Sequence, residues 1–148
     1  MKYIISKLTL FSLLLIACIA CGPRVELDLT KYGDTAFIQD ARLFYLEQAD
    51  RQIFEGEGTI TGVRRVFFSN GTTIDNDNFT ATISVSAADA ALLSESGITF
   101  THQAMSIEPL EGAPRAGVSA DFSGGNFVYR VHSADGTTHD WTIIIEVV

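Results

Sequence analysis

Residues 127–146 read FVYRVHSADGTTHDWTIIIE. Two apolar-alternating runs flank a cluster of turn formers, the pattern of a β-hairpin. Two turns compete. A two-residue turn at Asp135-Gly136 sets His132 opposite His139 and Arg130 opposite Trp141. A three-residue turn, Ala134-Asp135-Gly136 with a left-handed glycine in a bulge, shifts the pairing by one. Tyr129 then faces Trp141, Val131 faces His139 and Arg130 faces Asp140. The second register gathers Phe127, Tyr129, Val131, Trp141, Ile143 and Ile145 on one face. The first splits the aromatics between core and solvent, and a one-residue slip moves every side chain to the other face. The three-residue turn is therefore expected. It removes a tempting His–His metal pair and leaves Arg130–Asp140 as an exposed ion pair contributing under about 1 kcal/mol.

The same period of two runs backward through the chain. Ala41, Leu43 and Tyr45 alternate with Arg42, Phe44 and Leu46. Phe79, Ala81, Ile83 and Val85 alternate with Thr80, Thr82 and Ser84, and Ile98 and Phe100 with Thr99 and Thr101. Breaks fall at Gly56-Glu57-Gly58, Asn70-Gly71, Asp75 to Asn78, Gly112 to Pro114 and Gly124-Gly125, a spacing typical of short antiparallel strands. Ser86-Ala87-Ala88-Asp89 has the form of a capping box before Ala90 to Leu93, which predicts one or two helical turns. One helical turn cannot cover a sheet, so a second sheet must. About seven strands point to an all-β, two-sheet antiparallel sandwich of immunoglobulin-like type, with a small barrel as the alternative.

The 148 residues are one domain's worth of protein, 47% apolar. Ten cations oppose eighteen anions, a net charge of −8. Loss of Lys2 and Lys7 with a leader leaves eight against eighteen, or −10. Such a domain has no electrostatic footprint for nucleic acid or anionic lipid. Two cysteines, both within the first 21 residues, and three histidines argue against a structural zinc site. No cofactor is implied.

Residues 1–23 read MKYIISKLTLFSLLLIACIACGP, a positive start, an apolar run and small residues. The run is shorter than the about 20 apolar residues a membrane span needs and fits a cleaved export signal. It resembles a bacterial lipoprotein signal. Leu15-Ile16-Ala17-Cys18 matches the lipobox at all four places, and Cys18-Ile19-Ala20-Cys21 at all but the first. The resemblance implies a diacylglycerol on Cys18, with Cys21 the alternative, and the residue after either cysteine favours the outer membrane. Several acyl chains make a stable anchor, since each buried CH₂ contributes about 0.8 kcal/mol. Residues 1–17 are then the signal, 18–33 a solvated tether and 34–148 the sandwich.

Asp121-Phe122-Ser123, then Ser133 to Thr138 and Asp140-Trp141-Thr142-Ile143, resemble the closing hairpin of immunoglobulin-like domains in Bacteroidota surface lipoproteins. Many of those are domains of unknown function and some accompany glycan uptake. The resemblance covers roughly residues 75–148 and implies a binding or accessory module.

Each candidate chemistry has a plainer reading beside it. Asp75-Asn76-Asp77-Asn78 offers oxygens for calcium but lacks the glycine and distal glutamate of an EF-hand loop, so a polar turn is expected. His132, Ser133, His139 and Asp140 contain the residue types of a triad, yet they alternate between faces of one hairpin and lack a nucleophile elbow. Glu108 and Glu111 are two carboxylates with no sign of a cleft between them. Phe44-Tyr45 and Phe67-Phe68 must each turn one ring outward, and a ring beside Arg64 or Arg65 is the best binding candidate. Tyr45, Phe68 and Arg64 are the residues chosen. Asp34-Thr35-Ala36 resembles the O-glycosylation motif of exported Bacteroidota proteins, which marks Thr35. The expected function is a membrane-anchored, non-enzymatic binding or accessory domain, in glycan capture or as a subunit or spacer of a surface complex. A small hydrolase is the less favoured alternative.

Overall fold

A computed structural model describes residues 27–52, 59–69 and 71–148. The signal, Cys18, Cys21 and the Gly56-Glu57-Gly58 break lie outside the described residues. Eight strands are described: β1 Ile38–Gln52, β2 Thr59–Phe67, β3 Thr72–Asp75, β4 Thr80–Val85, β5 Ser96–His102, β6 Ser106–Leu110, β7 Asn126–His132 and β8 Thr138–Val147. They form two sheets, ordered β2-β1-β5 and β3-β4-β8-β7-β6. The protein is an all-β sandwich, as the alternation requires.

The core lies between the sheets. Ala41, Leu43 and Ile98 from the smaller sheet meet Ala81, Ile83, Val131 and Ile143 from the larger one. Tyr129 and Trp141 are fully buried, and Phe100 sets its edge on the Tyr129 ring at 4.9 Å. Burial pushes the Tyr129 phenol far above its usual value, so it stays protonated and donates to Pro114 O at 2.6 Å. The indole Nε1 of Trp141 donates to Ala36 O at 3.0 Å, so neither large ring leaves its polar atom unsatisfied.

The closing hairpin has the expected register. Tyr129 pairs with Trp141, Arg130 with Asp140 and Val131 with His139. Ser133 and Thr137 close the loop through Ser133 N to Thr137 O at 2.8 Å, and Gly136 has φ +94°. All six expected inward residues belong to the core or pack on it. Asp135 Oδ1 accepts from Thr137 N at 2.9 Å, which fastens the turn from within.

Two expectations change. The larger sheet is not wholly antiparallel: β4 pairs with β8 in parallel, from Thr80–Thr142 to Val85–Val147. The chain leaves β4 for the other sheet as β5, returns to the far edge as β6 and reaches the side of β4 only as β8, and a parallel neighbour needs such a long crossover. Second, the helical turn is a 3₁₀ segment at Ala90–Glu95, and the Ser86 hydroxyl bonds the Asp89 carboxylate at 2.8 Å instead of capping a backbone N–H.

β1 is the spine. Its fifteen residues pair with β5 only as far as Tyr45, and with β2 from Phe44 to Gln52. Beyond Tyr45 the chain is a two-stranded ribbon projecting past the sandwich. At the other end of β1, the chain after β2 turns a corner between sheets, held by Phe68 N to Leu43 O at 3.1 Å and by the Thr72 hydroxyl on Ala41 O.

Candidate functional site

The two aromatic doublets resolve differently. At the second doublet Phe67 is outward and Phe68 lies in the core, its ring 5.5 Å from Tyr45. The expected binding role of Phe68 is corrected: the corner into β3 turns this ring inward, where no ligand meets it. At the first doublet, alternation sends Phe44 to the outer face of the smaller sheet, yet only 1% of it is exposed. It lies over Gly97 on β5, beside Phe67 on β2, and beneath the Arg65 guanidinium at 4.1 Å. Arg65 therefore covers a ring by a cation–π contact. Arg64 points to the opposite face and is held by Glu47, at 2.8 and 2.6 Å.

Tyr45 is half-buried and lines a cleft of about 590 Å³. Leu46 and Leu92 supply further apolar wall, and Ser94, Glu95 and Ser119 supply polar groups. Three separate segments build it, each fixed by backbone geometry. β1 runs on past its β5 partner. The 3₁₀ segment is pinned by buried Leu93, by Ser96 Oγ to Leu92 O at 2.6 Å and by Phe122 N to Leu93 O at 2.8 Å. The third wall is tied by Ala120 N to Ser96 O at 2.7 Å. Among the described residues Glu95 makes no ion pair, so its carboxylate is available as an acceptor. Of the cleft residues only Tyr45 was chosen from sequence. The adjacent Leu92-Leu93 was the available signal, since two neighbouring leucines in a short turn cannot both face inward.

The polar residues of the closing hairpin do not converge. His139 shares the inward face with Val131, stacks on Phe79 at 4.1 Å and bonds Asp34 Oδ2 at 2.6 Å. His132 sits on the other face and bonds Glu108 Oε1 at 3.0 Å. Asp140 is paired with Arg130 at 2.7 and 2.8 Å, which holds its carboxyl below the usual carboxylate range. Ser133 is buried and its hydroxyl accepts from Thr35 N at 3.0 Å and donates to Gly33 O at 3.2 Å. Each of the four groups of the hydrolytic alternative is thus held by a different partner. Thr35 itself is half-buried with its hydroxyl 3.1 Å from Ser133 Oγ, so in the folded state a glycan there displaces a structural contact. Asp75 to Asn78 form the β3–β4 turn: the Asp75 carboxylate accepts from the Asn78 side-chain amide at 2.7 Å, then from Asn78 N and Asp77 N, which lowers its pKa.

With this geometry in place, comparison with known proteins is informative. A family profile described as DUF5018-related matches residues 45–144. The chain belongs to the DUF5018-related family. The match starts at Tyr45 and encloses every lining residue of the cleft. A crystal structure of a Bacteroides fragilis protein described as secreted is similar, with TM-score 0.60 and 25% identity over 76% of this chain and 95% of that one. No curated protein matches. The lock made by Asp34 and Thr35 lies outside the family match, whereas its partners Ser133 and His139 lie within it.

Proposed function

We propose that this protein is an extracytoplasmic lipoprotein, held at the outer membrane through Cys18 (alternatively Cys21). Its immunoglobulin-like sandwich is a non-enzymatic binding or accessory domain that captures a glycan in the Tyr45 cleft. The cleft is the observation that carries this reading. It combines an aromatic ring, suited to the C–H face of a pyranose, with a carboxylate and two hydroxyls suited to sugar hydroxyls. The lipobox and the likeness to a Bacteroides protein described as secreted support the location.

The cleft also stands at the end of the sandwich away from the tether. The tether enters beside Ser133 and His139, at the start of β1, and Tyr45 lies seven residues further along that strand from Ile38. At about 3.3 Å per residue this is roughly 23 Å.

A glycan array probed with the full-length, detergent-solubilised chain tests the reading. Binding that falls at least about tenfold in Tyr45→Ala, about 1.4 kcal/mol, while Phe67→Ala binds normally, is expected. A blank array with folded protein, or equal binding by Tyr45→Ala, sinks the cleft as a glycan site.

A further inference from the structure

The three walls of the cleft meet at one buried serine. Ser96 pairs with Tyr45 between β5 and β1. On its other side it bridges to Ala120, through Ala120 N to Ser96 O at 2.7 Å, and its hydroxyl donates to Leu92 O at 2.6 Å. Glu95 immediately precedes this hub, as the last residue of the 3₁₀ segment. Its backbone is thus fixed one residue from the position opposite Tyr45, where paired Cα atoms stand about 5 Å apart. Glu95 is the one charged side chain among the described lining residues; beside it and Tyr45 stand two leucines, two alanines and two serines. The arginines of neighbouring β2 are committed elsewhere, Arg64 to Glu47 and Arg65 to the Phe44 ring. Among the described residues Glu95 forms no ion pair with a cation. The chain as a whole adds a net charge of the same sign, −8.

We infer that the cleft accepts uncharged sugars and refuses acidic ones, with Glu95 as the residue that sets this preference. The inference rests on the reading of the cleft as a glycan site. An ionised carboxylate accepts hydrogen bonds from sugar hydroxyls but has no proton to give to a uronate or a sulfate. A second anion placed against it, beside apolar walls and with no cation to bridge the two, adds like-charge repulsion that water only partly screens. A neutral pyranose meets neither penalty. Its C–H face lies on Tyr45 while its hydroxyls donate to Glu95.

A glycan array that sets each neutral oligosaccharide beside its uronate and sulfated forms, probed with the full-length, detergent-solubilised chain, is the test. Neutral members are expected to bind at least about tenfold better than their acidic forms at about 0.1 M salt. The gap should narrow toward about 1 M salt, where the screening length falls from about 10 Å to about 3 Å. Glu95→Gln keeps an acceptor oxygen and removes the charge, and it is expected to bring the neutral-to-acidic ratio below about threefold. Asp77→Asn removes the same charge from the β3–β4 turn, at the other end of the six residues of β4, about 20 Å away, and should leave the ratio unchanged. Acidic members that bind through Tyr45 as well as neutral ones overturn the inference and leave the glycan reading standing. So does a ratio that Glu95→Gln does not move, or that Asp77→Asn moves as far. If Glu95→Gln binds no glycan, a wild-type gap that ignores salt overturns the inference instead. A blank array with folded protein overturns both readings.

Discussion

Gly97 stands opposite Phe44, and a Cβ there would lie 2.2 Å from the tip of the Phe44 ring. The glycine is needed for space, because the ring lies flat where its side chain would be. Arg65 closes the other side of the ring. Gly97→Ala must therefore lift the ring or strain the strand, and overpacking of this kind costs about 1–3 kcal/mol. Urea denaturation measures it, and an unchanged midpoint would mean the ring moves away freely. Ser133 is a second such residue. Ser133→Ala leaves Thr35 N–H and Gly33 C=O without their partner, a loss of about 1–3 kcal/mol. Limited proteolysis between residues 30 and 36 should quicken at the same time, and equal cleavage rates would show that the lock does not hold the entering chain.

At the scale of elements, the closing hairpin shows how local and tertiary demands agree. Its turn requires a left-handed residue at position 136, and glycine supplies it at φ +94°. Gly136→Val should cost about 1–2 kcal/mol through backbone strain without moving the register, which the buried face holds. Phe79 accepts a left-handed φ of +51° without being glycine, at the turn into β4. Its ring is stacked on His139 and set edge-on to Trp141 at 5.7 Å, contacts that hold it there. The turns also set the response to acid. Asp75, Asp121, Asp135 and Asp140 all have lowered pKa values, the first three through hydrogen bonds within their turns and the last chiefly through Arg130. A carboxylate with a depressed folded pKa stabilises the fold above its unfolded value, here 3.8, and that contribution is lost as pH falls through the folded pKa. The melting temperature should begin to respond to these groups about one pH unit above 3.8 and fall further below it, and Asp135→Asn should flatten that fall. A pH profile identical to wild type would remove Asp135 from the account.

For the whole molecule, one long strand connects the proposed roles. β1 starts beside the contacts that hold the entering chain, crosses the core, forms a wall of the cleft at Tyr45 and Leu46, and ends in the ribbon it makes with β2. The entering chain and the cleft thus lie along a single element. Cys18→Ala should move the protein from the membrane fraction to the soluble one, read by fractionation and blotting. Full membrane retention of that variant together with retained lipid labelling would assign the anchor to Cys21.

Secondary-structure period, hairpin register and the inward face of β7 and β8 were written locally, because alternation and turn chemistry act over a few residues. The three-residue turn is the clearest case: one register gathers Phe127, Tyr129 and Trp141 on the inward face and the other splits them, so burial alone selects it. The doublets were not legible in this way. Alternation requires one ring of each pair to face out, but it does not say that Gly97 makes a bed for Phe44 or that the corner at Phe68 turns that ring into the core. The parallel β4–β8 pair was equally hidden, since residues 86–137 and three other strands lie between its members. The cleft depends on residues near 45, 94 and 119, and no periodicity links those positions. The sequence by itself determined the strands, their faces and the last hairpin. Only the tertiary structure decided which strands are neighbours, which aromatic is free and where a cleft opens, because those outcomes depend on distant segments competing for the same space.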